Sequence, residues 1–389
     1  MATSHRAEIN PKLLIWARES SRMDVDYASR KLGISAEKLI SWESGQAQPT
    51  IKQLRNTAKS YRVNFGAFFL PEPPEVFKSP IKDLRRHHGA TFNDICPEIY
   101  MDLRSNLNSR EVVIELEDEL NEEAHNFNLK CSIDDDPKKV AKIIRKELGI
   151  TFPKQLKFRN SRVAFNKWRT AISNYGCFAL QSTKIELDDM RGYSVYFNRK
   201  PLIVVNRKDP YAARTFTLLH EFTHLLLRSS GLCDLHANTN LPAHEQRLEV
   251  FCNKVAAQAL VPDTHLLRYE VIHSTKKDAW NDEILAPLSR DFGVSREVIL
   301  RKILDYGLTT SQFYEDHRER YRQEAKESKQ RRKGGFVTPS VDVVSAKGKH
   351  FVSVVIDAMN SAIITPNDAS DYLGVKSKHF SKIEMKLEG

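Results

Sequence analysis

From Pro11 to about Leu70 the apolar positions recur every three or four residues in short bursts. This predicts helices over Pro11–Ser20, Asp24–Leu32, Ala36–Ser44, Ile51–Tyr61 and Phe65–Leu70. The clearest corner is Ser29-Arg30-Lys31-Leu32-Gly33-Ile34-Ser35. Gly33 can take the left-handed conformation that ends a helix, and Ser35 can cap the next one. The reciprocal half of a capping box is missing there, because Lys38 stands where an acid or amide is wanted. The segment reads as an all-helical helix-turn-helix unit with Leu39 and Trp42 in its core. Leu70-Pro71-Glu72-Pro73-Pro74 then removes backbone donors and ends the unit near residue 74. Residues 75–136 read as a linker and a helical connector, with a helix over Phe92–Leu129. Its acidic run, Glu115-Leu116-Glu117-Asp118-Glu119, reads as a solvated face without chemistry.

Helical periods continue over Pro137–Leu148, with Asp136 as cap, and Ser161–Asn174; then the period changes. Gly176–Gln181, Tyr193–Phe197 and Leu202–Val205 are short β-branched and aromatic runs between turn residues, which predicts a small antiparallel sheet with Leu202–Val205 at an edge. A long helix follows to Arg228, with Asp209 as its cap and Pro210 at its first position. Further helical stretches cover Ala243–Leu260 and Asp282–Tyr306. The expected architecture is mainly α with a small β-sheet: an α+β domain over 137–310, preceded by the all-α unit. Residues 311–389 read as a charged linker and a small C-terminal helical unit. Ser29…Gly33-Ile34-Ser35, Ser289…Gly293-Val294-Ser295 and Ser370…Gly374-Val375-Lys376 repeat one corner chemistry without a longer repeat behind it.

Composition narrows the class. With 41% hydrophobic and 28% charged residues in 389, the chain has material for real cores, which excludes wholesale disorder. No run approaches the ~18 apolar residues of a membrane helix, and no secretory h-region follows the start, so a cytoplasmic protein without membrane contact is expected. Five scattered cysteines without a Cys-x-x-Cys pair exclude a disulfide framework and a cysteine-based zinc site. Sixty basic against fifty acidic residues favour nucleic acid or an acidic partner, only weakly over so long a chain.

The chemistry is concentrated in His220-Glu221-Phe222-Thr223-His224. Histidines four apart lie above one another on a helix, so both can bind one Zn2+ while Glu221 acts as base toward water. Leu218, Leu219, Phe222, Leu225, Leu226 and Leu227 make this helix apolar nearly all round. It is therefore buried, and burying two imidazoles and a carboxylate is costly without a compensating ion. A third ligand is needed. The long metzincin pattern is excluded, because Leu227 and Ser230 stand where its Gly and His belong. Glu249 is the first choice, beside the stripe Leu248, Cys252, Val255, Ala256 and Ala259, with Asn253 placed to hydrogen-bond a ligand carboxylate. On spacing alone, Glu245, His244 and His236 remain alternatives.

Leu219–Leu227 together with Glu249-Val250-Phe251-Cys252-Asn253-Lys254-Val255-Ala256-Ala257 and Val261-Pro262 resembles the ImmA/IrrE family of bacterial metallo-endopeptidases, over roughly Pro137–Tyr306. The resemblance implies Glu249 as third zinc ligand and a regulatory protein, of repressor or antitoxin type, as substrate. Upstream, Gly33-Ile34-Ser35 with Leu39, Trp42-Glu43-Ser44-Gly45 and Gln48-Pro49-Thr50 resembles the helix-turn-helix of Xre/Cro-type repressors. That implies DNA as a second partner through residues 1–74, with Ser35, Lys38 and Ser41 as readers and Lys31, Lys38 and Lys52 on phosphates. Where such domains commonly carry Gln, this chain has Val25 between Asp24 and Asp26, and Glu37 and Glu43 lie on the recognition helix. Weak DNA binding is the expectation. The leading reading is a zinc endopeptidase that cleaves a repressor-type regulator and so controls transcription. It stands against two others: a DNA-binding regulator whose zinc site is a sensor or structural, and an antitoxin-like protein. Leu202–Val205, as an edge strand, would pair with the substrate backbone.

Overall fold

The computed structural model describes residues 6–74, 97–123, 125–229, 231–233, 243–331 and 337–388, and the chain divides into two compact units, Met1–Asn108 and Ser109–Gly389. That division falls inside the stretch read as connector.

The first unit contains α1 (Pro11–Glu19), α2 (Val25–Leu32), α3 (Ala36–Glu43), α4 (Ile51–Tyr61), a 3-10 turn at Phe65–Phe69 and the first half of α5 (Pro97–Glu119). Its ends follow the capping residues. Asp24 accepts from Tyr27 N, Ser35 from Lys38 N, and Thr50 closes a capping box with Gln53. Gly33 ends α2 at φ 68°, a conformation that costs a side-chain-bearing residue more than it costs glycine. Leu13, Leu14, Leu39, Trp42, Leu54, Tyr61 and Phe68 form the core. Glu43 does not confront a ligand: Arg18 donates to both its oxygens at 2.8 and 3.0 Å. Arg104 donates to the carbonyls of Ser20, Tyr61 and Arg62, the open ends of α1 and α4.

The second unit is organised around a four-stranded sheet of order β1-β3-β2-β4, with β1 (Phe178–Ser182), β2 (Gly192–Val195), β3 (Leu202–Asn206) and β4 (Gly231–Cys233). The sheet is mixed rather than antiparallel. β3 runs parallel to β1, Phe178 opposite Leu202, and antiparallel to β2, Gly192 opposite Val205. Leu202–Val205 is therefore central and buried, contrary to the expectation of an edge; its continuous apolar pattern is what a strand covered on both faces requires. Around the sheet lie α6 (Pro137–Glu147), the single turn α7 (Phe152–Gln155), α8 (Ser161–Asn174), α9 (Tyr211–Leu226) and α10 (Ala243–Leu260). Short α11 (Asp263–Leu266) and α12 (Glu270–Ser274) lead to α13 (Asp282–Phe292), α14 (Arg296–Asp305) and α15 (Ser311–Arg331). Among the described residues, no helix is long and apolar enough to cross a membrane.

Three local expectations are corrected. Asp209 does not cap α9: it is buried, accepts from Arg191 at 3.1 Å, and its carbonyl takes Arg214 Nε at 2.7 Å. The helix expected to reach Leu129 stops at Glu119, and Phe127 instead enters the core below α9. The acidic run is not uniformly solvated, since Glu117 is buried against Lys200 Nζ at 2.6 Å and His350 Nε2 at 2.7 Å.

His350 belongs to a C-terminal helical cluster of α16 (Pro339–Lys347), α17 (Lys349–Asn360), α18 (Pro366–Leu373), a 3-10 turn at Ser377–His379, and α19 (Phe380–Glu388). α16 packs on β1. The contact is made by the buried Arg169 of α8, which donates to Ala179 O at 2.7 and 2.9 Å, Ser345 O at 2.6 Å and Ala346 O at 3.0 Å. A guanidinium between a strand and the carbonyl end of a helix satisfies acceptors that water cannot reach. Arg169→Leu should therefore lower the unfolding free energy by about 3 kcal/mol. The measurement is the urea midpoint, and an unchanged midpoint would remove the role given to Arg169.

Candidate metal centre

The site is built on α9, whose twelve residues from Arg214 to Leu226 other than Phe216 are all buried. Its approach to the sheet depends on β2. Gly192 and Ser194 share the β2 face turned to the helix, two residues apart. A Cβ on Gly192 would lie 2.6 Å from Thr217 Cγ2 and 3.0 Å from Val204 O, so only glycine lets the helix come this close. Ser194 Oγ then donates to Glu221 Oε2 at 2.7 Å. The other oxygen, Glu221 Oε1, is buried without a hydrogen-bond partner. Burial pushes the Glu221 carboxyl up, against the opposing pull of His224, His220 and the Ser194 hydroxyl.

His220, His224 and Glu249 each place one ligand atom within 4.8 Å of the others. The two Nε2 atoms are 3.0 Å apart, with Glu249 Oε2 3.2 Å from His220 Nε2 and Oε1 3.3 Å from His224 Nε2. The outer nitrogens fix the tautomers. His220 Nδ1 lies 3.0 Å from Asn253 Oδ1, an oxygen that can only accept. His224 Nδ1 lies 3.2 Å from Ser229 Oγ, whose own proton goes to His224 O at 3.1 Å. Both Nδ1 atoms are therefore donors, and both Nε2 lone pairs face the same gap. Two converging lone pairs and a carboxylate repel one another unless a cation lies between them. The gap draws positive charge, as a metal ion between the lone pairs or as a proton on one ring. For His224, burial acts downward but is outweighed by Cys252 and Glu249, and the ring is raised well above its usual value. Glu249, despite burial, is held below the carboxylate range by its bonds to His220 and His224. Two imidazoles and one carboxylate oxygen are the donor set of a catalytic zinc site, so these residues fit Zn2+.

Of the alternatives for the third donor, His244 is exposed and Glu245 half-buried, both outside the cluster, while His236 lies outside the described residues. Asn253 is found one step from where it was expected: it orients His220 rather than a carboxylate. Ser194 and Ser229 were not singled out from sequence. The small pair Gly192/Ser194 on one strand face was the available signal for the first.

The class follows from this geometry: a small sheet laid against a buried helix, which presents His, Glu and His beside a carboxylate from a neighbouring helix, makes a metallopeptidase-type centre. Residues 177–304 match the model of the peptidase M78 family, described as an IrrE N-terminal-like domain. The matched stretch contains all four strands, α9 and α10, and supports a metallopeptidase domain of the ImmA/IrrE type. No curated protein matches the chain.

Gly192→Ala should displace α9 and lower the melting temperature by several degrees, on the scale of about 1–3 kcal/mol for overpacking. Thr217→Ser removes the 2.6 Å obstacle and leaves the carbonyl at 3.0 Å, so the double variant should recover part of the loss. A thermal melt of the single and double variants checks both, and equal losses would place the strain elsewhere.

Proposed function

We propose that the chain is an intracellular zinc-dependent endopeptidase that cleaves a repressor-type regulatory protein. Glu221 Oε1 carries this reading: a buried carboxylate oxygen without a partner, beside three converging donor atoms, is poised to take a proton. His220, His224 and Glu249 would hold the metal. When bound, Zn2+ supplies a Lewis acid that polarises a carbonyl and makes water acidic near neutral pH. Glu221 accepts the proton of the attacking water at Oε1 and delivers it to the leaving nitrogen, while Ser194 keeps Oε2 engaged so that the carboxylate does not rotate. Asn253 and Ser229 keep the Nε2 lone pairs directed inward.

Strand addition of the substrate at Leu202–Val205 is excluded by the two neighbours of β3. With α16 packed on β1, the substrate backbone pairs instead along β4, at the other end of the sheet. The first unit is given the role of docking the protein substrate. Its DNA-contact set is depleted: Ser35 is spent as a cap, Ser41 Oγ donates to Lys38 O, and Lys31 is 2.9 Å from Glu98. Lys38 and Lys52 remain exposed.

The purified protein should carry about one zinc per chain, lost in His220→Ala and His224→Ala. Full occupancy in His224→Ala would reject the ligand set. Glu221→Gln should keep the metal while hydrolysis of the cognate repressor falls by about 10²–10⁴. Unchanged regulation in cells carrying Glu221→Gln would assign the function to binding alone, as in a regulator or an antitoxin.

A further inference from the structure

Three helix corners in this chain are built by one local chemistry. In each, a glycine in the left-handed region ends the first helix: Gly33 at φ 68°, Gly293 at φ 68° and Gly374 at φ 69°. The residue after it donates its backbone N–H to a serine carbonyl five residues earlier: Ile34 to Ser29 at 3.1 Å, Val294 to Ser289 at 3.0 Å, and Val375 to Ser370 at 3.2 Å. The corners differ in what their second helix presents to solvent.

On α3 the exposed face sets Glu37 beside Lys38. On α14 the cations are consumed: Arg296 bonds Asp282 and Glu324, Arg301 bonds Asp305, and Lys302 is buried on Asp263. After Gly374 the arrangement is different. Phe380 and Ile383 are buried, which fixes the orientation of α19. The opposite side exposes Lys378, Ser381, Lys382, Met385 and Lys386, whose spacing of three, four, seven and eight residues makes a single helical stripe. Lys376 lies just ahead of it. None of these four ammonium groups has an ion-pair partner among the described residues. Of the nearby acids, Glu384 accepts from Asn360 and Asp368 closes the capping box of Thr365. Asp371 lies on α18. Met385, 64% exposed, is the stripe's one apolar member.

We propose that α19 and the turn before it form a nucleic-acid-binding face that grips a DNA duplex through Lys376, Lys378, Lys382 and Lys386. Charge complementarity selects this occupant. Lysines recurring every four residues along one exposed face, at Lys378, Lys382 and Lys386, suit a polyphosphate backbone, and a helix about 10–12 Å across fits the major groove. Ser381 can hydrogen-bond a base edge or a phosphate, and Met385 is placed for apolar contact with a thymine methyl. The face is independent of the metal centre, and Glu221→Gln should leave it untouched.

The test is fluorescence anisotropy of a labelled mixed-sequence duplex of about 20 base pairs with the full chain, titrated from about 50 to about 200 mM salt. Wild type should bind at low salt and lose affinity steeply as salt rises. Lys378→Ala/Lys382→Ala/Lys386→Ala should weaken binding more than about tenfold and reduce the salt slope by about three, one per phosphate contact. Lys38→Ala/Lys52→Ala should retain most of the affinity. The matching triple Lys→Gln variant, with an unchanged melting temperature, serves as the second measure. Wild-type affinity and slope in both triple variants, no duplex binding at low salt, or preference for poly-glutamate over the duplex would each overturn the proposal.

Discussion

Two imidazole nitrogens held 3.0 Å apart with their lone pairs toward each other form the constraint on which the rest of the peptidase domain depends. In water such a pair would drift apart or take up protons. Here drift is prevented because Asn253 and Ser229 hold the outer nitrogens and α9 is enclosed on nearly every side. Leu218, Leu219, Phe222, Leu225 and Leu226 supply the apolar surface that keeps the helix buried. The cost of burying polar groups is met by directing each of them at a partner: Thr223 to its own helix, Glu221 to Ser194, Arg214 to Gln181 and Asp209. What remains unmet, Glu221 Oε1 and the Nε2 gap, is where chemistry can occur.

That enclosure explains why distant parts of the unit matter to the centre. β2 sets the depth of α9 through Gly192, and its position is fixed in turn by β3. Asn206, at the end of β3, donates its side-chain amide to the carbonyls of Ile185 and Met190, holding the chain that leads into β2. On the far side β1 is closed by Arg169 and α16, so the C-terminal cluster shields the sheet edge that would otherwise invite pairing with another chain.

The sequence made the helices and the centre legible for physical reasons. Capping residues and glycine stops act locally, so α1–α4, α8 and α10 lie within a residue or two of their expected ends. The His-Glu-x-x-His spacing is itself a statement about one helix face. The sheet was less legible because strand order is non-local: nothing within Leu202–Val205 says that β1 pairs with it in parallel. The burial of Glu117 is hidden from the sequence for the same reason. Its neighbours in sequence are acids, and the partners that bury it, Lys200 and His350, lie far along the chain. Ser194 was invisible because a serine on a strand signals chemistry only once the helix opposite it is known.

The chain's positive charge must be read through the structure as well. Arg104, Arg145 and Arg169 direct their guanidinium groups at backbone carbonyls, and Arg145 also at Gln155, so each serves the fold while adding to the formal excess of cations. Net charge therefore overstates what is offered to a polyanion, and it gives no location. Location comes from counting which cations remain exposed after ion pairs, caps and carbonyls have taken theirs. By that criterion the first unit loses Lys31 to Glu98 and Arg18 to Glu43, and keeps Arg30, Lys38, Lys52 and Lys59 exposed but spread over α2, α3 and α4. The C-terminal corner, built by the same glycine and serine chemistry, keeps its lysines. A shared corner fixes where a second helix points, and the residues on its outer face decide what it can meet.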